Sequence, residues 1–174
     1  MVDYFTAKKR LPEKADGNWR LLPPLAVAMN VTQPPLDDLK VRQAIEYAID
    51  KQAIVDTLFA GLYELAYSPL APNTLGYWAG SEELYGYDPE KAKSLLKTAG
   101  WTGGSKLKFI APQGWYPKLN EVTDAMSAYL KAVGIDNEVT VMEGAAFTQA
   151  RVAGSSIEEA CLADTAILGR PGRP

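Results

Sequence analysis

The chain contains no histidine. That absence removes Ser-His-Asp and Cys-His catalysis, the commonest transition-metal ligand, and the side chain that most often titrates near neutral pH. Its only cysteine, Cys161, has no second thiol with which to close an intramolecular disulfide or a multi-thiolate metal site, so it reads as a small apolar side chain. No apolar run approaches the length of a membrane span, and the opening "MVDYFTAKKR" lacks a hydrophobic signal core. The chain is therefore expected to be either cytosolic or a mature or excised segment. Basic residues are not in excess either: 18 Lys and Arg stand against 21 Asp and Glu, which leaves no electrostatic footprint for nucleic acid or an anionic membrane.

What is present is the profile of a folded domain. At 174 residues, with 47% apolar and 22% charged side chains, the chain can bury a core and is too short for two comfortable domains. Residues 1–23, with Gly17 and the Pro23-Pro24 pair at their end, show no clear period and read as a lead-in. "LAVAMNV" (25–31) reads as a buried strand ended by Pro34 and Pro35. The stretch "PPLDDLKVRQAIEYAIDKQAIV" (34–55) then specifies two helices in succession. Asp37 or Asp38 caps the first, which buries Val41, Ala44, Ile45, Ala48 and Ile49; Asp50 caps the second, with Ile54, Val55, Leu58 and Phe59 as its stripe before Gly61.

Residues 61–87 are rich in Gly, Pro, Tyr and Trp and follow neither a helical nor an alternating period, as in a long ordered loop. "YDPEKAKSLLKTAGW" (87–101) has complete helix grammar: Asp88 as cap, Pro89 in the first turn, Lys97 near the end and Gly100 as terminator. A strand over 106–111, a helix from about Pro117 to Val133 closed by Gly134, and an alternating strand over 137–143 follow. The order gives an α/β fold with parallel pairing across the 117–133 helix. "SSIEEACLADTAILGRPGRP" (155–174) changes character and reads as a polar tail that can open a capped helix at Ser155 or Ser156.

No constellation of catalytic type emerges. Asp37 and Asp38 are adjacent, so their side chains diverge, and a carboxylate just before a helix is more often a cap than an acid/base partner. Glu82, Glu83, Glu138 and Glu143 have no metal-ligand spacing, and Gly103-Gly104 and "GRPGRP" match neither the P-loop nor the dinucleotide fingerprint. No catalytic residue, metal site or cofactor is expected. Aromatic and amide side chains in irregular segments remain. Tyr63, Tyr67, Tyr77, Trp78, Tyr85 and Tyr87 crowd the long loop, where stapling to the core is the simplest role. Gln113, Gly114, Trp115 and Tyr116 follow a strand, at the carboxyl edge where α/β folds hold ligands.

Four segments, "MNVTQPPLDDLKVRQAIEYAIDKQAIV", "PLAPNTLGY", "YDPEKAKSLLKTAGW" and "YLKAVGID", resemble in order and spacing the family 5 extracellular solute-binding proteins, the oligopeptide, dipeptide and nickel receptors of ABC importers. The resemblance covers residues 25 to about 154. It implies part of the second lobe of a two-lobed, type II periplasmic-binding-protein-like fold: residues 1–23 leading in from the first lobe or hinge, 24–154 forming the partial second lobe, and 155–174 a divergent tail. It also implies an extracytoplasmic, monomeric parent protein that captures a peptide or similar small solute by hinge closure and passes it to an ABC permease. Carried over by position, Ala26, Ala28 and Asn30 on the crossing strand and Gln113, Gly114, Trp115 and Tyr116 in the later turn would meet the ligand. For Asn30 the alternative is a cap on the turn at Pro34. The tail lacks the family's Tyr-Asp strand and Gly-Trp segment, so Asp164 takes no assigned role. Two readings of other classes stand beside this one: a protein-interaction module built on the 61–87 loop, and a hydrolase using the Asp37–Asp38 pair.

Overall fold

The computed structural model describes residues 25–60, 65, 67, 75, 78, 80, 84–104, 106–153 and 159–164. Strand β1 (Leu25–Met29) ends where the Asn30 carboxamide oxygen accepts hydrogen bonds from the Thr32 amide (3.1 Å) and hydroxyl (2.7 Å), which turns the chain. Helix α1 (Leu39–Ala48) begins at Asp38, whose carboxylate takes the Lys40 N–H at 2.7 Å; of the two adjacent aspartates it is Asp38 that caps. Its buried face is Val41, Ala44, Ile45 and Ala48, the spacing expected of one helical stripe. Helix α2 (Lys51–Phe59) begins at Asp50, which accepts from the Ala53 N–H at 2.9 Å. The left-handed turn that ends α2 falls on Ala60 (φ 49°), one residue before the glycine expected to take it. Helix α3 (Pro89–Thr98) has its cap at Asp88, bonded to the Lys91 N–H at 2.9 Å, and stops at Gly100 (φ 74°).

After β2 (Leu107–Pro112) the chain forms α4 (Leu119–Ala132) and β3 (Asn137–Met142), and β2 and β3 pair in parallel, with Phe109 opposite Val139. This is the crossover that the spacing of the elements predicts. Two further elements go beyond what the residue pattern predicts. Helix α5 (Gly144–Ala153) follows β3 at once, and β4 (Glu159–Asp164) lies in the stretch read as a divergent tail; Ser155 and Ser156, where a capped helix could open, lie outside the described residues. The four strands are ordered β1-β4-β2-β3, so β4 is an interior strand, antiparallel to β1 and parallel to β2. Backbone pairing on both sides overrides the weak local preference of "EACLAD".

The main core lies on one face of this sheet. Leu107, Phe109 and Ala111 of β2 meet Ala44, Ile45, Ala92, Leu96, Val122, Met126 and Leu130 from the helices, with Val27 and Met29 of β1 packed at its margin. The opposite face carries a smaller cluster in which Ile110 meets the fully buried Phe147 of α5, flanked by Met142 and Ala150. Burying an aromatic or branched side chain of this kind stabilises by about 1.5–3 kcal/mol. Among the described residues, Phe147 is thus the principal anchor of α5 on the sheet.

Candidate functional site

The register decides which candidate ligand residues can act together. In β1, Ala26 pairs with Ala163 and Ala28 with Cys161; in β2, Ile110 pairs with Cys161. Continued by two residues, the parallel register sets Ala163, and therefore Ala26, level with Pro112. The turn Gln113–Tyr116 begins there, two strand spacings or roughly 10 Å away. Asn30 lies past Met29, which pairs with Ala160, and so belongs to the other end of the sheet. Roughly 16 Å of strand length separates its level from that of Gln113. Ala26 and the 113–116 turn share an edge, whereas Asn30 is held at the opposite one with its side chain capping the turn at Thr32.

The turn itself splits its residues between the two faces. Its start is fixed by the Gln113 N–H, which donates to the Met142 carbonyl at 2.7 Å, while the Gln113 side chain is exposed. Gly114 has φ 72°, a left-handed conformation that glycine takes without a Cβ penalty. Trp115 then crosses to the α5 side, where its ring meets Phe147 edge-to-face at 5.3 Å and 72°. It remains 44% exposed, so its indole is anchored at one edge and open at the other. Tyr116 goes the other way and packs, half-buried, against the main core. Since Val27 and Met29 face that core, the exposed Ala28 between them faces the Trp115 side. Trp115 and Ala28 therefore look out from one sheet face, with no bulky side chain at Ala28 to fill the space.

Behind the turn sits a joint that no residue pattern announces. Lys118 holds φ 56° at the start of α4, and its ammonium donates to the Leu58 carbonyl at 2.7 Å. A lysine there complements the negative end of α2 and satisfies one of its free carbonyls. The left-handed backbone of a non-glycine residue costs of order 1 kcal/mol, which this bond and the packing of Tyr116 offset.

The aromatic loop is divided among its described residues. Tyr85 packs edge-on against Tyr47 at 5.3 Å, and Tyr87 against Tyr129 at 5.7 Å. The Lys91 ammonium donates to the Tyr47 hydroxyl at 2.7 Å, and that hydroxyl donates to the Leu84 carbonyl at 3.2 Å. Tyr87 nevertheless remains exposed, as do Tyr67, Leu75 and Trp78. Tyr63 and Tyr77 lie outside the described residues.

The carboxylate pair offers no hydrolytic site. Asp38 is committed to the cap, the Asp37 backbone carbonyl accepts from the Arg42 guanidinium at 2.9 Å, and both residues stand at a helix N-terminus. A cleft of about 340 Å³ does open beside them, between Pro35 to Val41 and the 99–104 segment. None of the candidate ligand residues lines it. Among the described residues no group of three or more Asp, Glu, Cys or His is placed to hold a metal ion, and no helix is long and apolar enough to cross a membrane.

With fold and geometry in place, similarity to known proteins decides the class. Residues 21–156 match the family described as bacterial extracellular solute-binding proteins, family 5 Middle. The chain belongs to that family. Among its relatives is the glutathione-binding protein GsiB of Pectobacterium atrosepticum, 36% identical over 133 residues, a match covering 76% of this chain and 25% of GsiB. Another is the heme-binding protein A of Haemophilus influenzae, 42% identical over 85 residues, covering 48% of this chain and 15% of that protein. Among solved structures, the periplasmic binding protein DppA of Helicobacter pylori in complex with peptide STSA superposes with a TM-score of 0.72 at 27% identity, covering 82% of this chain and 27% of DppA. The family 5 segment described here therefore spans about a quarter of the length of relatives such as GsiB and DppA. Its fold is α/β and corresponds to part of a type II periplasmic-binding-protein fold.

Proposed function

We propose that the protein carrying this segment is the substrate-binding component of an ABC importer. It captures a peptide or similar small solute outside the cytoplasm and delivers it to a membrane permease as a monomer. The segment supplies part of the second lobe and the start of the hinge, with residues 1–23 leading in from the first lobe. The place of β4 between β1 and β2 supports a lobe that reaches beyond residue 154. No residue here has a catalytic role; the work is closure, in which contacts made with both lobes favour the shut state.

One observation carries the placement of ligand contacts: Trp115, 44% exposed and held by Phe147, stands on the same sheet face as the exposed Ala28. An indole offers a flat apolar surface and one N–H donor, which suits a solute with apolar side chains and carbonyl acceptors. Ala28, Gln113, Gly114 and Trp115, with Ala26 beside them in register, form the contact surface. Tyr116 supports it from the core side, and Asn30 is an edge cap. The test is calorimetric titration of the full-length gene product with glutathione and with peptide STSA. Saturable heat with either, weakened by Trp115→Ala and untouched by Asn30→Ala, supports the reading. Heat that is unaffected by Trp115→Ala removes the turn from the site.

A further inference from the structure

Gly144, the first residue of α5, has no backbone need to be glycine. Its φ lies outside the left-handed region that Gly100, Gly103, Gly114 and Gly134 occupy. Inside the helix, the Phe147 N–H bonds the Glu143 carbonyl at 2.8 Å, so the residues around Gly144 already hold ordinary helical geometry. Alanine is a better helix former than glycine at such a position. What the glycine does provide is space. A Cβ on Gly144 would stand 2.7 Å from Nε1 of Trp115 and 3.3 Å from its Cε2 and Cζ2, closer than a carbon can approach the ring nitrogen. The indole lies directly against the bare Cα of residue 144, with the buried Phe147 as its side wall. Backbone on one side and a fixed ring on the other define one seat for Trp115. Nε1 is the indole atom nearest to where a Cβ on Gly144 would stand, it makes no hydrogen bond to another described residue, and Trp115 remains 44% exposed beside this seat.

We propose that Gly144 is a positioning residue for the ligand site: by lacking a side chain it seats the Trp115 indole so that its N–H meets a carbonyl or carboxylate oxygen of the bound solute. The ligand half of this statement rests on the importer reading above; the seating half does not. Adding one methyl group at residue 144 pushes the exposed indole off its seat. It does so without unfolding anything, because Trp115 has open space on its outer edge.

The test is Gly144→Ala in the full-length gene product, read in four ways. First, without any solute, the indole N–H resonance of Trp115, assigned by its disappearance in Trp115→Phe, shifts in Gly144→Ala. Second, affinity for glutathione or peptide STSA falls about tenfold, the scale of one well-made hydrogen bond. Third, the melting temperature holds or rises, since alanine favours the helix; a purely structural role for Gly144 predicts the reverse. Fourth, in a Trp115→Phe background, Gly144→Ala weakens binding no further, because the atoms it displaces are gone. An unmoved indole resonance overturns the seating of Trp115 whatever the protein binds. A moved resonance with full affinity, or an equal loss in the Trp115→Phe background, overturns the ligand role of Gly144. Absence of binding to either probe by the unsubstituted protein overturns the importer reading and the ligand role with it, and leaves the seat to be decided by the resonance alone.

Discussion

Replacing Asp38 with alanine, and Asp37 likewise, distinguishes helix capping from paired-carboxylate chemistry. Asp38 accepts the Lys40 N–H at 2.7 Å at the start of α1, and that helix contributes Val41, Ala44, Ile45 and Ala48 to the main core. A carboxylate-to-amide bond at an N-cap stabilises by about 1 kcal/mol. In a domain of this size each kcal/mol moves the melting temperature by about 2–4 °C, so Asp38→Ala is expected to melt about that much lower. The substitution Asp38→Asn keeps an acceptor in the same position and should lose only a few tenths of a kcal/mol. Asp37 makes no side-chain hydrogen bond or ion pair with the described residues; its backbone carries its contacts, through the Gln33 carbonyl and the Arg42 guanidinium. Asp37→Ala should therefore stay within about 0.5 kcal/mol of the parent. Thermal unfolding followed by circular dichroism measures all three. Equal losses for Asp37→Ala and Asp38→Ala, or a loss for Asp38→Asn as large as for Asp38→Ala, would refute the capping assignment.

Two further outcomes concern the buried Asn137 and the half-buried Tyr129. Asn137 donates from Nδ2 to the Ser127 and Ile135 carbonyls, both at 3.2 Å, and ties the end of α4 to β3. Asn137→Asp turns a buried donor into a carboxylate facing two carbonyls. It should cost on the order of 3 kcal/mol at neutral pH and recover as pH falls and the acid takes up a proton, a trend that denaturant titration at several pH values reads directly. Burial, with the Asp50 carboxylate and Tyr87 nearby, raises the Tyr129 phenol above its ordinary 10.0. The folded state then keeps a proton that the unfolded chain releases, so stability declines as pH climbs past 10.0 toward the raised value. Tyr129→Phe should flatten that decline in alkaline melts; an unchanged slope assigns the alkaline sensitivity to other groups.

What the residues reveal in advance, and what they hide, divides along a physical line. Asp38, Asp50 and Asp88 are readable as caps because an N-cap is settled within three residues of chain. The β2-α4-β3 crossover is readable because both periods are strong and the handedness rule leaves one packing. β4 is not readable, since its strand character comes from lying between β1 and β2, partners about 130 and 50 residues away in the chain. Helix α5 hides for a related reason: among its described side chains Phe147 alone is buried, which gives no stripe to recognise. The candidate site shows the same division. The Gln113–Tyr116 turn is identifiable from its place after a strand. That Trp115 and Tyr116 part to opposite faces, that Asn30 sits at the far edge, and that Gly144 is the floor under Trp115 depend on register and packing which no local pattern encodes.

On the proposed function, this chain is one part of a two-lobed receptor whose ligand is held jointly with the rest of the protein. Calorimetric titration of peptide STSA and glutathione into the 174-residue chain and, in parallel, into the full-length gene product tests it most directly. Saturable heat is expected for the full-length protein and none for the segment, because half a site neither excludes water nor converges enough polar groups on a solute. Equal affinity in both, or no binding by the full-length protein to either solute, would contradict it.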